Sequence, residues 1–65
     1  MNSIKYYVLK QYDSNYDNES IIGIYFTMKQ VDTKLADVYN KDCKYNLYLM
    51  QDGKVLESMG MEYVK

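Results

Sequence analysis

Apolar and polar positions change period several times along this chain, and the changes predict its elements. In SIKYYVLKQY (3–12), Ile4, Tyr6 and Val8 fall on one side of an extended backbone, Tyr7 and Leu9 on the other. That alternation, rich in β-branched and aromatic residues, predicts a strand. SIIGIYF (20–26) predicts a second, nearly unbroken in apolar character, which places it centrally in a sheet. Asp13 to Glu19 then form the loop of a hairpin. The period changes to a helical one after Thr27, with Met28, Val31, Leu35, Val38 and Tyr39 on one stripe. Thr27 and Gln30 have capping-box spacing, so the helix starts there, and it should fade near Asn40 to Asp42. KYNLYLMQ (44–51) and KVLESMGMEYVK (54–65) predict the last two strands.

Asp52-Gly53 between them suits a two-residue type I′ turn, whose central residues both need positive φ. Such a turn sets a register: Gln51 with Lys54, Met50 with Val55, Leu49 with Leu56 and Tyr48 with Glu57. One face then carries Tyr45, Leu47, Leu49 and Leu56; the other carries Tyr48, Met50, Val55, Met59 and Met61, subject to a bulge at Gly60. The expected fold is α+β, ββαββ in order, an antiparallel-rich four-stranded sheet with one helix packed on one face. Strand order is not fixed by the pattern. Both faces carry large apolar groups, and one helix covers only one of them.

Size sharpens that mismatch. A single domain of 65 residues buries only about 60% of the surface its unfolded chain exposes, so small domains usually need a staple. Cys43 is the only cysteine and there is no histidine, which excludes an internal disulfide and argues against zinc. Association with a second copy or with another protein becomes the favoured staple.

Eight lysines stand against nine acidic residues, for a net charge of −1, and arginine is absent. A nucleic-acid partner is not expected, since phosphate neutralisation and base reading both rely on cationic side chains. MNSIKYYVLK lacks an apolar run of signal-peptide length, and the longest apolar run, IIGIYF, is far too short to span a bilayer. The expectation is a soluble cytoplasmic protein with no membrane association.

DSNYDNES (13–20) places Asp13, Asn15, Asp17 and Glu19 at every second position, as calcium loops do. An EF-hand would need glycine where Asn18 stands and a bidentate glutamate where Ile24 stands, so that reading fails. A looser calcium site stays open beside the favoured reading, a polar turn whose Asp, Asn and Ser bend the chain. Tyr12 and Tyr16 make the loop a credible contact surface as well. Cys43 follows a helix C-terminus, the wrong end for thiolate activation, and reads as an ordinary partly buried thiol. With no histidine and no glycine-rich phosphate loop, neither catalysis nor a cofactor is expected. The acids, Asp32 with Asp37 and Glu57 with Glu62 among them, read as solvated surface charge.

The remaining candidates are aromatic and sulfur-bearing: Tyr7, Tyr48, Met50, Met59, Met61 and Tyr63 on a spare sheet face, with Tyr25 less firmly placed and Tyr12 and Tyr16 at the rim. Tyr supplies contact area at low entropic cost, Met adapts its shape, and both are enriched at interfaces. IIGIYFTMKQVD, a glycine-containing strand running into a Thr-capped helix between two hairpins, resembles small phage and mobile-element ββαββ proteins. That resemblance covers the chain as an architecture, and it implies an inhibitor that binds a host defence protein. The expected function is therefore protein binding, as a homodimer or against a host protein, acting by steric block. The alternative is a small-molecule sponge, a nucleotide-like ring stacked on tyrosines between protomers, with Lys5, Lys10 or Lys44 supplying charge.

Overall fold

The structure, a computed structural model, describes residues 4–62. Its elements run β1 (Tyr6–Asp13), β2 (Asn18–Tyr25), α1 (Met28–Val38), β3 (Cys43–Gln51) and β4 (Lys54–Met61). The four strands form one antiparallel sheet in the order β2-β1-β3-β4. Each hairpin contributes its first strand to the centre, so β2 lies at an edge. This corrects the central placement expected from its apolar run. Its apolar character has another cause. Ile22 and Tyr25 pack toward the core, while Ile21 and Ile24 project from the sheet at 63% and 58% exposure.

Because β2 and β3 flank β1, α1 must cross β1 to connect them, and it lies over β1 and β2. Thr27 starts the helix: its hydroxyl accepts from the Gln30 amide at 3.2 Å, and Gln30 Oε1 accepts from the amides of Phe26 and Thr27. Those contacts satisfy amides that the first helical turn would otherwise leave bare. From the expected stripe, Val31 and Leu35 are buried and Val38 half-buried, whereas Met28 and Tyr39 are exposed, each to 37%. The stripe meets Leu9, Cys43, Tyr45 and Leu47 from the central strands, and this single layer is the core.

The helix ends at Val38, slightly before the expected fade. No glycine follows it, and a tyrosine from the next strand does the capping. The Tyr45 hydroxyl donates to the Val38 carbonyl at 3.1 Å and accepts from the Asn40 amide at 2.8 Å. Its ring stacks on Tyr39 with centroids 5.5 Å apart. One buried phenol thus fastens the helix end to β3. The second hairpin closes as anticipated, with φ of 54° at Asp52 and 75° at Gly53.

Two irregularities shape the edges. In β2 the partners step from Gly23 to Ile21 as β1 steps from Leu9 to Lys10, leaving Ile22 as an extra residue. In β4 they step from Glu57 to Val55 as β3 steps from Leu49 to Met50, leaving Leu56 extra. Gly23 opposite Leu9 is where the Tyr25 ring folds back along the strand. A β-carbon there would collide with the Tyr25 hydroxyl and sit 2.8 Å from its Cζ.

Tyr45 gives the fold a testable pH signature. Burial pushes its phenol above the ordinary value of 10.0. Cys43 is raised above 9.0 by burial and then by Asp13 and Asp42; Tyr12 is raised above 10.0, chiefly by its hydrogen bond to Asp17. A raised acid binds its proton more tightly when folded, so its stabilisation is complete below the unfolded value and is lost as pH climbs through the folded one. Urea midpoints should hold steady up to about pH 9 and fall above it. Tyr45→Phe should cost about 1–2 kcal/mol at neutral pH by orphaning two backbone groups. It should also flatten the part of the alkaline decline above pH 10. An unchanged neutral midpoint would rule out the clamp.

Candidate functional site

Among the described residues, the side of the sheet away from α1 is open. Strand pairing lays its side chains out in rows across β2, β1, β3 and β4. Tyr6 neighbours Met50, which neighbours Val55; Ile24, Val8, Tyr48 and Ser58 make the next row; Ile21, Lys10, Asn46 and Gly60 the third. Glu19, Tyr12 and Lys44 make the fourth. The first two rows are almost wholly apolar. Val55 is 55% exposed, Tyr6, Tyr48 and Met50 are half-buried, and Val8 is shielded to 9% although no helix lies above it. Neighbouring strands provide that shielding, since Val8 stands between Ile24 and Tyr48.

The last two rows carry most of the polar groups of this face, with Ile21 the exposed apolar residue among them. Lys10 Nζ lies 3.3 Å from Glu19 Oε1 and 5.0 Å above the Tyr48 ring, joining three strands. Tyr12 donates to Asp17 Oδ1 at 2.6 Å. Asp13 Oδ1 accepts from the Asn15 amide at 3.0 Å, and its carbonyl from the Tyr16 amide at 3.3 Å. The turn proper is therefore Ser14 to Asp17, shorter than the seven-residue loop expected. Asp17 sits at φ 48°, a left-handed conformation that Asp tolerates. The oxygens of Asp13, Asp17 and Glu19 thus turn to three different protein partners. Among the described residues, no group of three or more His, Cys, Asp or Glu side chains could hold a metal ion. No described helix is long and apolar enough to cross a membrane.

The expected interaction residues divide between the two faces. Tyr48 and Met50 lie on the open one, with Tyr12 toward its polar end; Tyr16, 81% exposed, caps the loop. Tyr7 does not belong with them. It pairs with Leu49 and Tyr25 on the helix side and packs against the core, as does Tyr25. Met59 and Met61 also move to the covered side, opposite Leu47 and Tyr45. The reason is the bulge at Leu56, in place of one at Gly60. One extra residue early in β4 inverts the alternation of everything after it, so Leu49 meets Glu57 and Tyr48 meets Ser58. Tyr63 lies outside the described residues. In exchange the open face gains Tyr6, Val8 and Ile24. The alternation of β1 already grouped Tyr6 with Val8; only the β1–β3 register shows that they share a face with Tyr48 and Met50.

A second concavity lies where the end of α1 meets the beginning of β3 and the end of β4. Tyr39, Lys41, Cys43, Lys44, Tyr45, Met61 and Glu62 are among the residues that line it. Cys43 is buried, its thiol held protonated by burial and nearby carboxylates. Comparison with protein-family models, curated proteins and solved structures returned no match for this chain.

The inverted alternation is testable with two adjacent residues. Met59→Glu places a charge against the core and should cost about 2 kcal/mol or more. Ser58→Glu, on the open face away from the core, should change the stability of the monomer by no more than about 0.5 kcal/mol when midpoints are taken at concentrations low enough to keep the chain monomeric. Urea midpoints of the two variants decide; the reverse ranking would place the bulge elsewhere.

Proposed function

We propose that the protein is a non-enzymatic, protein-binding module that self-associates through its open sheet face and acts stoichiometrically. The observation that carries this reading is the contiguous apolar half of that face. Tyr6, Val8, Ile24, Tyr48, Met50 and Val55 lie together with no layer above them among the described residues. Contiguous apolar surface of this kind on a small soluble domain marks an association site more often than scattered exposure does. The aromatic and methionine content suits such a role. The exposed Tyr16 at the loop tip supplies a separate contact for a further protein. The resemblance to small phage inhibitors adds a setting, in which the assembled protein covers the working surface of a host defence protein by bulk alone.

A small-molecule role has one observation in its favour. The groove beside Tyr39 is lined by Lys41, Lys44 and Glu62 around a stacked tyrosine pair, a setting for a planar polar ligand. The arrangement expected between protomers has less support, because Lys10 already sits over the Tyr48 ring and beside Glu19.

Native mass spectrometry of the untagged protein tests the main reading. The expected species is a dimer without added mass. Replacing both Tyr48 and Met50 with Lys should give a monomer with the far-UV circular dichroism of the parent. A parent protein that stays monomeric at high micromolar concentration overturns the reading, and so does a double variant that dimerises as the parent does. A nucleotide-sized adduct, lost in a Lys41→Ala/Lys44→Ala variant, would favour the groove instead.

A further inference from the structure

We propose that the occupant of the open face is a second copy of this chain, laid on it about a two-fold axis running along the strands between β1 and β3. The proposal rests on the self-association argued above and adds the geometry.

Area comes first. Four strands about 4.8 Å apart and about eight residues long give a flat footprint of roughly 500 Å² per copy. Two footprints make roughly 1,000 Å², near the lower bound for a specific interface. The apolar half alone falls well short, so a stable pair must use the polar rows as well. That requirement selects the orientation.

An axis along the strands sets β1 of one copy over β3 of the other and keeps every row on its own kind. Tyr6 faces Met50 of the second copy, Val8 faces its Tyr48, Lys10 its Asn46, and Tyr12 its Lys44. Large meets small at the Val8–Tyr48 positions, twice by symmetry, which suits interdigitation of aligned sheets. An axis across the strands would instead lay Val8 on Lys10 and Met50 on Lys44, desolvating charge against hydrocarbon. The chosen orientation also carries Lys10 inward already paired, held by Glu19 at 3.3 Å and by the Tyr48 ring at 5.0 Å. The edges compete poorly for the second copy, because each edge strand is interrupted by a bulge, at Ile22 and at Leu56. The resulting dimer is a two-sheet sandwich with one helix on each outer side.

The Val8–Tyr48 positions give the test a lock and key. Val8→Tyr sets large against large at both symmetric contacts, and Tyr48→Val sets small against small. Each variant alone should dimerise about tenfold or more weakly than the parent. Mixed together, they regain a large residue facing a small one at both contacts. Native mass spectrometry should then show the heterodimer well above its statistical share. Circular dichroism checks that both fold. A second measurement leaves Val8 and Tyr48 intact. In a Cys43→Ser background, an Ile21→Cys protomer mixed with a Gly60→Cys protomer, members of one row on opposite edges of the sheet, should be joined by a short bismaleimide. Homogeneous samples of either variant should couple far less. A parent dimer with statistical mixing and no selective coupling overturns the orientation while leaving self-association standing. A monomeric parent removes both.

Discussion

The pairing of β1 with β3 is the constraint on which the rest of this structure depends. Eight residue pairs, from Tyr6 with Met50 to Asp13 with Cys43, join two hairpins that would be marginal alone. That seam makes the first strand of each hairpin central and sends the second strand of each to an edge. It also dictates where the helix goes. A chain leaving β2 at one edge and returning as β3 must pass over β1, and α1 is the segment that makes the crossing. The helix therefore lies on one side only, and the other side of the same seam stays bare.

What the crossing secures is a one-sided core. Leu9 and Leu47 meet across the seam beneath Val31 and Leu35, and all four are buried. Tyr45 extends the layer past the helix end and satisfies the backbone there with its own hydroxyl. The open side is organised by different physics. Cross-strand side chains shield one another, with Val8 sunk between Ile24 and Tyr48, and Lys10 ties three strands together through charge and a ring. The two halves of the sheet are thus stabilised by a packed layer on one side and by lateral neighbours on the other.

Local chemistry explains what could be read from the sequence. The Thr27–Gln30 capping box, the Asp52-Gly53 turn and the two-residue period of β1 all act over a few residues, and each appears where its pattern predicted. Non-local facts were not legible. The apolar run IIGIYF looks the same whether its strand is central or is an edge strand with one covered and one open side. The bulge at Leu56 leaves no mark in composition, and glycine at position 60 drew the expectation to the wrong residue. That single displacement assigned Met59 and Met61 to the wrong face. Tyr7 was misassigned for a related reason, because the two sides of β1 are equally apolar in sequence and only its pairing with Leu49 and Tyr25 distinguishes them.

Stability and association are linked in a domain of this kind. With one cysteine and no histidine, the chain has neither an internal disulfide nor the usual zinc ligands, and a single layer of buried residues must offset the entropy of the whole fold. Any protein that settles on the open face removes Tyr6, Ile24, Tyr48, Met50 and Val55 from water and so stabilises the folded state by mass action. A second copy is the partner always at hand, at the chain's own concentration. Bulged edges discourage strand-to-strand growth, and in the proposed dimer the two copies close the apolar rows of the open face between them. In that proposed dimer, the surface left uncovered by the core is also the surface that sets the assembly at two.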